Sequence, residues 1–463
     1  MNSIVEFTAN PSATLAFGPA RRRIFDMIDH ADTFGKSNEE LLPAQIAAAQ
    51  EYFEEMRPRV RILDKRAQET GTEKITRMED IVPLLFSHTT YKTYPVSFVT
   101  KGQWDRMTQW LSTLSAKPLD NVDLKGIEDI DDWLVRLQQA DHLIATTSGT
   151  TGKVSVLNRT PDDTAIGTRI TSKFFGWPKP IAPNHDRHFF SLTPSSGAGM
   201  LVYHAHIFAS LYARPDSIHF LSNDRLRVAP LMKAAEMRQK MAAGTATPEE
   251  VEAFQQEARL QVEKMEKAID GIVEDILAVR HERCFISGLW AMYWRLMERA
   301  RARGIPDGDF NPETLAGAGG GLKGLNLPPD YAEQVFKFLG VQRMGAYGMS
   351  EMVFSQPRCE AGRFHREPWI IQLMLDGTGE NMLDMNRSEG VVQGRFAFLD
   401  MSQHGRWGGL ITGDKVEMDF GKCPCGRHGP TILPTITRYA NLGEEDKIGC
   451  AGTIESYIRG ELQ

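Results

Sequence analysis

Very little in this 463-residue chain is extreme, and each absence closes off a class of protein. Cysteine is scarce: five residues, unevenly placed, cannot staple a small disulfide-based secreted fold. No apolar run reaches the roughly 18 residues of a membrane helix, and residues 1–20 mix Glu, Asn, Ser and Pro without the apolar stretch of a secretory leader. Basic excess is missing as well. A net charge of −7 gives no electrostatic reason for a nucleic-acid partner. Repeats and low-complexity tracts are absent. The remaining composition, 41% hydrophobic and 24% charged, is that of a globular chain long enough to bury a large core. These exclusions lead to the expectation of a cytoplasmic enzyme with no membrane span.

Hydrophobic spacing gives the local structure. Residues 20–30, 38–67, 103–115 and 128–140 carry apolar side chains three and four apart, which predicts helices. Short apolar runs at 143–145, 189–192, 218–221, 284–286, 341–344, 370–375 and 395–398 predict strands. Helical stretches separate several of these runs, so the fold class expected is α/β. Residues 233–282 are charged and nearly free of proline after the helix start Thr247-Pro248-Glu249-Glu250, and read as a helical hairpin with a solvated face.

The most informative stretch follows the run at 143–145. Thr146-Thr147-Ser148-Gly149-Thr150-Thr151-Gly152-Lys153 packs hydroxyls, two glycines and a lysine into eight positions. Glycines let backbone N–H groups approach an oxyanion, hydroxyls add donors, and lysine adds charge, which together make a phosphate cradle. It is not a Walker A loop, because Thr147 stands where the first glycine belongs and Val154 follows the lysine.

Further motifs lie downstream. Ala316 to Gly324 is a glycine cluster containing Gly320 and Gly321, suited to a close backbone approach or simply to a flexible turn. Gly345-Ala346-Tyr347-Gly348-Met349-Ser350-Glu351 offers an aromatic face, a hydroxyl and a carboxylate, and Thr412-Gly413-Asp414 offers a carboxylate suited to a ribose diol. Tyr203-His204-Ala205-His206 places two histidines after the glycine-containing run 195–199; each is either a pocket group or an ordinary packed or surface histidine. Cys359, His365, Cys423 and Cys425 make a Cys₃His set, a common ligand type for structural zinc. Their spacing is not that of a standard finger, and buried thiols beside a surface histidine are the alternative. Cys450 sits between small residues, either as an accessible thiol nucleophile or as an unremarkable tail residue.

Taken in order, T-S-G-T-T-G-K, the glycine-rich segment, Y-G-M-S-E and T-G-D resemble the motif series of the adenylate-forming superfamily of acyl- and aryl-CoA ligases, peptide-synthetase adenylation domains and luciferases. The resemblance spans about 140–440. It implies a large N-terminal domain of stacked α/β subdomains with a small β-rich subdomain. Residues 1–140 would be its helical N-terminal region, 141–437 the adenylating core with an insertion at about 233–282, and 438–463 a short tail in place of the usual C-terminal domain.

The implied cofactors are ATP and Mg²⁺, and the implied substrate is a fatty or aryl carboxylic acid. Thr147, Ser148, Gly149, Thr150, Thr151, Gly152 and Lys153 would hold the β- and γ-phosphates. Tyr347, with Gly348 beside it, would stack near the adenine, with Gly320 and Gly321 on the other face. Ser350 would touch the α-phosphate, Glu351 would bind Mg²⁺, Asp414 the ribose hydroxyls, and Arg438 ribose or phosphate. The family's Gly-Arg-x-Asp-Asp is Thr-Arg-Tyr-Ala-Asn here. Phenylacetate-CoA-ligase-like members have a similar Cys/His pair and a C-x-C-G-R, matched by Cys423 to Arg427, which implies structural zinc. LuxE-type acyl-protein synthetases have a shortened end with an acyl-accepting cysteine. That likeness implies acyl transfer to Cys450 and delivery to a partner acyl reductase.

Overall fold

The computed structural model describes residues 17–146, 153–320, 326–341 and 344–442. The fold is mixed α/β, and the chain divides into two compact units. One is formed by the described residues of 182–344 with 153 and 154; the other by those of 9–146, 155–181 and 345–463.

The first unit is built on four parallel strands in the order Ala213–Leu226, Arg187–Gly197, Cys284–Leu289, Leu315–Gly319. A parallel sheet is covered on both faces, so its strands read as continuous apolar runs rather than alternating ones. Phe189, Phe190, Phe285 and Ile286 are accordingly at most 1% exposed. The crossovers are helices: Met200–Tyr212, then Ala229–Ala242 and Pro248–Ala278, then Trp290–Ala302. The long helix starts at a capping box, in which Thr247 accepts from the Glu250 N–H while Glu250 accepts from the Thr247 N–H. Only its last turns reach the core, through Ile269, Ile272, Val273, Ile276 and Leu277 at helical spacing. Cys284 lies in this core, and burial pushes its thiol up to about 12, which makes it an inert packing residue.

The 341–344 strand expected from the sequence is not observed: Val341 and Met344 are irregular, and 342–343 lie outside the described residues. Helix Tyr331–Leu339 stops at Gly340, whose φ of +67° forms a left-handed cap, and Val341 then packs against the core. The apolar character at 341 reports burial there, not strand pairing.

The second unit has a seven-stranded sheet. Its main path runs Phe364–His365, Thr431–Ile432, Gly409–Asp419, Val391–Asp400, Ile370–Leu375, all antiparallel. Phe86–Ser87 adds to Gly409–Asp419 in parallel and Thr437–Arg438 adds to it antiparallel. Helix Asn38–Met56 packs against the sheet. Gln45 donates from Nε2 to the carbonyls of Pro368 and Ile370 at 2.8 and 2.9 Å, and Tyr52 stacks on Trp407 with ring centroids 4.9 Å apart. Strands Leu143–Thr146 and Val156–Arg159 pair antiparallel, Thr146 opposite Val156. The cradle residues Thr147 to Gly152 lie between them in sequence and outside the described residues.

Candidate functional site

Tyr347, Asp414 and Arg438 come together at the sheet. The short strand Ala346–Tyr347 pairs with Gln356–Pro357 and brings the phenol inward. Its O–H donates to Asp414 Oδ2 at 2.8 Å. Asp414 and Arg438 stand directly opposite each other in paired strands, with Arg438 Nε 3.3 Å from Asp414 Oδ1. Asp414 is buried whereas the Arg438 side chain is 69% exposed, so this ion pair is worth little and the strand pairing fixes the geometry. Burial, reinforced by the neighbouring Asp414 carboxylate, holds the Tyr347 phenol well above its usual range. It is therefore a hydrogen-bond donor at neutral pH. Upstream, the Asp414 N–H donates to Thr412 Oγ1 at 3.1 Å, and Thr412 Oγ1 donates to the Phe396 carbonyl at 2.7 Å.

The following turn, 348–353, is clamped by its carbonyls. Arg159 Nη2 donates to the carbonyls of Ser350 and Met352 at 2.9 and 2.6 Å. The Glu351 carbonyl accepts from Gln403 Nε2 at 2.9 Å and Arg406 Nη2 at 2.5 Å. The Val353 N–H donates to Asp400 at 3.0 Å. Both arginines are buried, so these charged donors act in a low-dielectric setting where such bonds are strong. The backbone at 350–352 is thus fixed from below, which presets where the Ser350 and Glu351 side chains project. Gly348 permits the tight approach: a Cβ there would lie 2.2 Å from Ser355 Oγ and 2.9 Å from Ser355 Cα. Gly348→Ala is therefore expected to destabilise by about 1–3 kcal/mol. A thermal midpoint lowered by a few degrees, with only partial recovery in Gly348→Ala/Ser355→Gly, is the expected result.

The remaining sequence-expected residues belong to the first unit or lie outside the described residues. Lys153 is half-buried in an irregular segment of the first unit. Gly320, also in that unit, follows strand Leu315–Gly319 with φ +76°, and a Cβ there would lie 2.4 Å from Leu289 Cδ2. Glycine is required at that position. Thr147, Ser148, Gly149, Thr150, Thr151, Gly152, Gly321 and Cys450 lie outside the described residues. His206, on helix Met200–Tyr212, holds Nε2 2.8 Å from the Ser195 carbonyl, and burial lowers its pKa. It is a neutral, packed imidazole. Arg159, Gln403 and Arg406 were not singled out from sequence, because only the fold brings them under the 348–353 turn.

The cysteine cluster forms completely. The ligand atoms of Cys359, His365, Cys423 and Cys425 all lie within 4.8 Å of one another. Cys359 Sγ is 3.8 Å from Cys423 Sγ, and Cys425 Sγ is 3.5 Å from His365 Nε2. Metal–sulfur and metal–nitrogen bonds of ~2.3 and ~2.0 Å at tetrahedral angles give edges of about 3.8 and 3.5 Å, so the donor set fits a four-coordinate ion. Two matching turns build it. In Cys359-x-x-Gly362-Arg363 the Cys359 N–H donates to the Arg363 carbonyl and the Gly362 N–H to the Cys359 carbonyl. In Cys423-x-x-Gly426-Arg427 the same two bonds recur. Both glycines have positive φ, +80° and +89°. His365 Nδ1 is 3.2 Å from the Phe34 carbonyl, which leaves Nε2 as the lone-pair donor. Burial holds this imidazole down to about 4, in its ligating neutral form, and pushes the Cys423 thiol up to about 12. A bound cation reverses that last effect by stabilising the thiolate.

No protein-family model matches the chain, and no curated protein matches it. Among solved structures, a natural red-emitting luciferase from Phrixothrix hirtus is similar with a TM-score of 0.37 and 13% identity, over 88% of this chain and 76% of that one. A likeness this slight assigns no activity. Among the described residues no helix is long and apolar enough to cross a membrane.

Proposed function

We propose that this protein activates a carboxylic acid by adenylation: carboxylate plus ATP gives acyl-AMP and pyrophosphate. The observation that carries the reading is the Tyr347–Asp414–Arg438 arrangement. A buried, acceptor-only carboxylate is held in place by a phenol and sits at the junction of the Y-G-M-S-E and T-G-D motifs. That is the chemistry a ribose diol calls for, since a fixed carboxylate accepts from both hydroxyls. In this reading Asp414 takes the ribose hydroxyls, with Arg438 flanking them, and Tyr347 and Gly348 border the adenine with Gly320 and Gly321. Ser350 reaches the α-phosphate, and Thr147 to Lys153 take the β- and γ-phosphates. Glu351 would hold Mg²⁺, whose contribution is to neutralise charge on the phosphates. Zinc is the ion proposed for Cys359, His365, Cys423 and Cys425, in a structural role with no open coordination position.

The acyl group then passes to the Cys450 thiolate: a sulfur–carbon bond forms, the carbonyl–oxygen bond to AMP breaks, and AMP leaves. A partner reductase would consume the thioester. Coenzyme A as acceptor is the rival outcome. With radiolabelled carboxylic acid, Cys450→Ser is expected to abolish acid-stable labelling of the chain while carboxylate-dependent ATP–pyrophosphate exchange persists. Normal acyl-CoA production by that variant would instead make the protein a CoA ligase. Absence of exchange with every acid tried would leave a zinc-stabilised binding subunit.

A further inference from the structure

Cys359 and Tyr347 belong to one short hairpin, so the state of the Cys₃His cluster bears on the Tyr347–Asp414 pair. Strand Ala346–Tyr347 pairs with Gln356–Pro357, Tyr347 opposite Gln356. The Arg358 N–H continues that ladder by donating to the Gly345 carbonyl at 2.9 Å, and Cys359 is the next residue. Arg358 also bridges to Phe364, the neighbour of His365, and the Phe364 ring lies 5.9 Å from the Tyr347 ring, centre to centre. Among the described residues, two further ties join the cysteine turns. One is the two-residue pairing of Phe364–His365 with Thr431–Ile432; the other is the ion pair from Arg427 Nη1 to Glu360 Oε2 at 3.0 Å. So short a pairing and so exposed an ion pair hold weakly. Much of the tie therefore falls to the four ligand side chains, and with it the support of Tyr347.

The four ligands are not equally protected. His365, Cys423 and Cys359 are 1%, 2% and 3% exposed, whereas Cys425 is only half-buried. A thiolate held for a metal carries no proton, which makes an accessible one a nucleophile toward peroxide. A second thiolate must then lie close enough to close a disulfide, and here all the ligand atoms lie within 4.8 Å of one another. Cys359 is a better resolving group than Cys423. A bond between Cys423 and Cys425 would close a ring with a single residue between its cysteines, which strains the sulfur geometry. Cys359 comes from the other turn and carries no such constraint.

We propose that Cys425 is a peroxide-oxidisable residue whose disulfide with Cys359 empties the cluster and loosens the Tyr347 site; this rests on the zinc and adenylation readings. The Cys425 thiolate attacks one oxygen of hydrogen peroxide, the oxygen–oxygen bond breaks, and hydroxide leaves with Cys425 as the sulfenic acid. The Cys359 thiolate attacks that sulfur, a sulfur–sulfur bond forms, the sulfur–oxygen bond breaks, and a second hydroxide leaves. Two thiolates together lose two electrons, and one peroxide is reduced to two hydroxides. Cys423 and His365 then remain as two donors of four, too few for a structural ion. With the cluster undone the 359–365 turn loses its anchor, and the ladder that positions Tyr347 against Asp414 frays. A thiol reductant with zinc reverses both steps.

The zinc-loaded chain is treated with hydrogen peroxide and read in three ways: zinc release to a chromophoric chelator, disulfide mapping by peptide mass spectrometry, and ATP–pyrophosphate exchange. Expected are release of the bound zinc, a Cys359–Cys425 disulfide, and kcat/KM for ATP lowered about tenfold, the worth of one hydrogen bond from Tyr347. Dithiothreitol with zinc is expected to restore all three. Cys425→His keeps a Cys₂His₂ set, another common zinc ligand type, without the accessible thiol, and is expected to retain zinc under the same peroxide. Zinc that stays bound in the wild-type chain overturns the inference. So does release without the Cys359–Cys425 bond, or an undiminished kcat/KM once that bond has formed. Release from Cys425→His at the wild-type rate overturns it too. If that variant takes up no zinc, the wild-type disulfide map decides alone. A wild-type chain that carries no zinc before peroxide overturns the zinc reading instead. One that exchanges with no acid overturns the adenylation reading, and zinc release and the disulfide map still decide the role of Cys425.

Discussion

Asp414→Asn is expected to cut kcat/KM for ATP by roughly 10²- to 10⁴-fold while the fold survives. The two side chains are nearly the same size, and strand Gly409–Asp419 keeps its pairing whichever stands at 414. What changes is hydrogen-bond capacity. The carboxylate accepts from Tyr347 and faces Arg438, with lone pairs left for two ribose hydroxyls. Asparagine brings one acceptor and a pair of donors, so its NH₂ points donor against donor at Tyr347, Arg438 or the ribose. Two charge-assisted bonds of about 1.5–3 kcal/mol each are at stake, which is the source of that range. Initial rates of pyrophosphate exchange against ATP concentration measure it. Tyr347→Phe should do much less, about tenfold, because it removes one neutral donor and leaves the carboxylate. An Asp414→Asn variant with wild-type kcat/KM would remove the ribose assignment.

The second large effect concerns the metal. Purified without chelator, the chain is expected to carry one zinc by elemental analysis, and Cys423→Ser to carry almost none. Cys423 is 2% exposed and a ligand atom of the cluster. Serine is a poor ligand, and losing the Cys423 thiolate leaves the buried Cys359 thiol, the half-buried Cys425 thiol and the buried His365 imidazole with no common partner. Structural zinc contributes of the order of 10 kcal/mol in the smallest domains. A part of that, in a fold with its own core, lowers the thermal midpoint by about 10 °C or more. The cluster ties the edge strand Phe364–His365 and its neighbour Thr431–Ile432 in the sheet that also carries Asp414, so local unfolding should begin at that edge. Proteolysis in the presence of a chelator should cut first near 359–365 or 423–432. Zinc-free protein with an unchanged midpoint would make the cluster a set of packed thiols.

The elements that were legible in sequence share a cause. Helices Asn38–Met56, Arg61–Thr70, Trp104–Leu114 and Ile130–Gln139 lie within the ranges read from apolar spacing, give or take a few residues. Each lays an apolar stripe on a core, and that stripe is written locally. The parallel strands at 187–197 and 284–289 were visible because burial on both faces leaves an apolar run, whereas 213–226 is an edge strand of which only the short apolar stretch 218–221 could be read. The same rule misled at Val341, where an apolar residue after a helix cap packs on the core outside any strand.

The site was legible in its motif residues and illegible in its supports. Tyr347 and Asp414 are 67 residues apart, and no pattern in the sequence states that one donates to the other. Arg159 reaches across 191 residues to Ser350, a contact that no local pattern states. The Cys₃His composition could be read off, whereas its assembly depends on the pairing of Phe364–His365 with Thr431–Ile432.

The central claim is attack of a carboxylate on the α-phosphate, and an oxygen-transfer experiment addresses it directly. The chain is incubated with ATP and a carboxylic acid labelled with ¹⁸O in both carboxyl oxygens, using an acid that supports exchange, and the nucleotide product is weighed by mass spectrometry. Adenylation followed by acyl transfer predicts AMP carrying one ¹⁸O, with unlabelled pyrophosphate. ADP as the nucleotide product, or label appearing in inorganic phosphate, would contradict it.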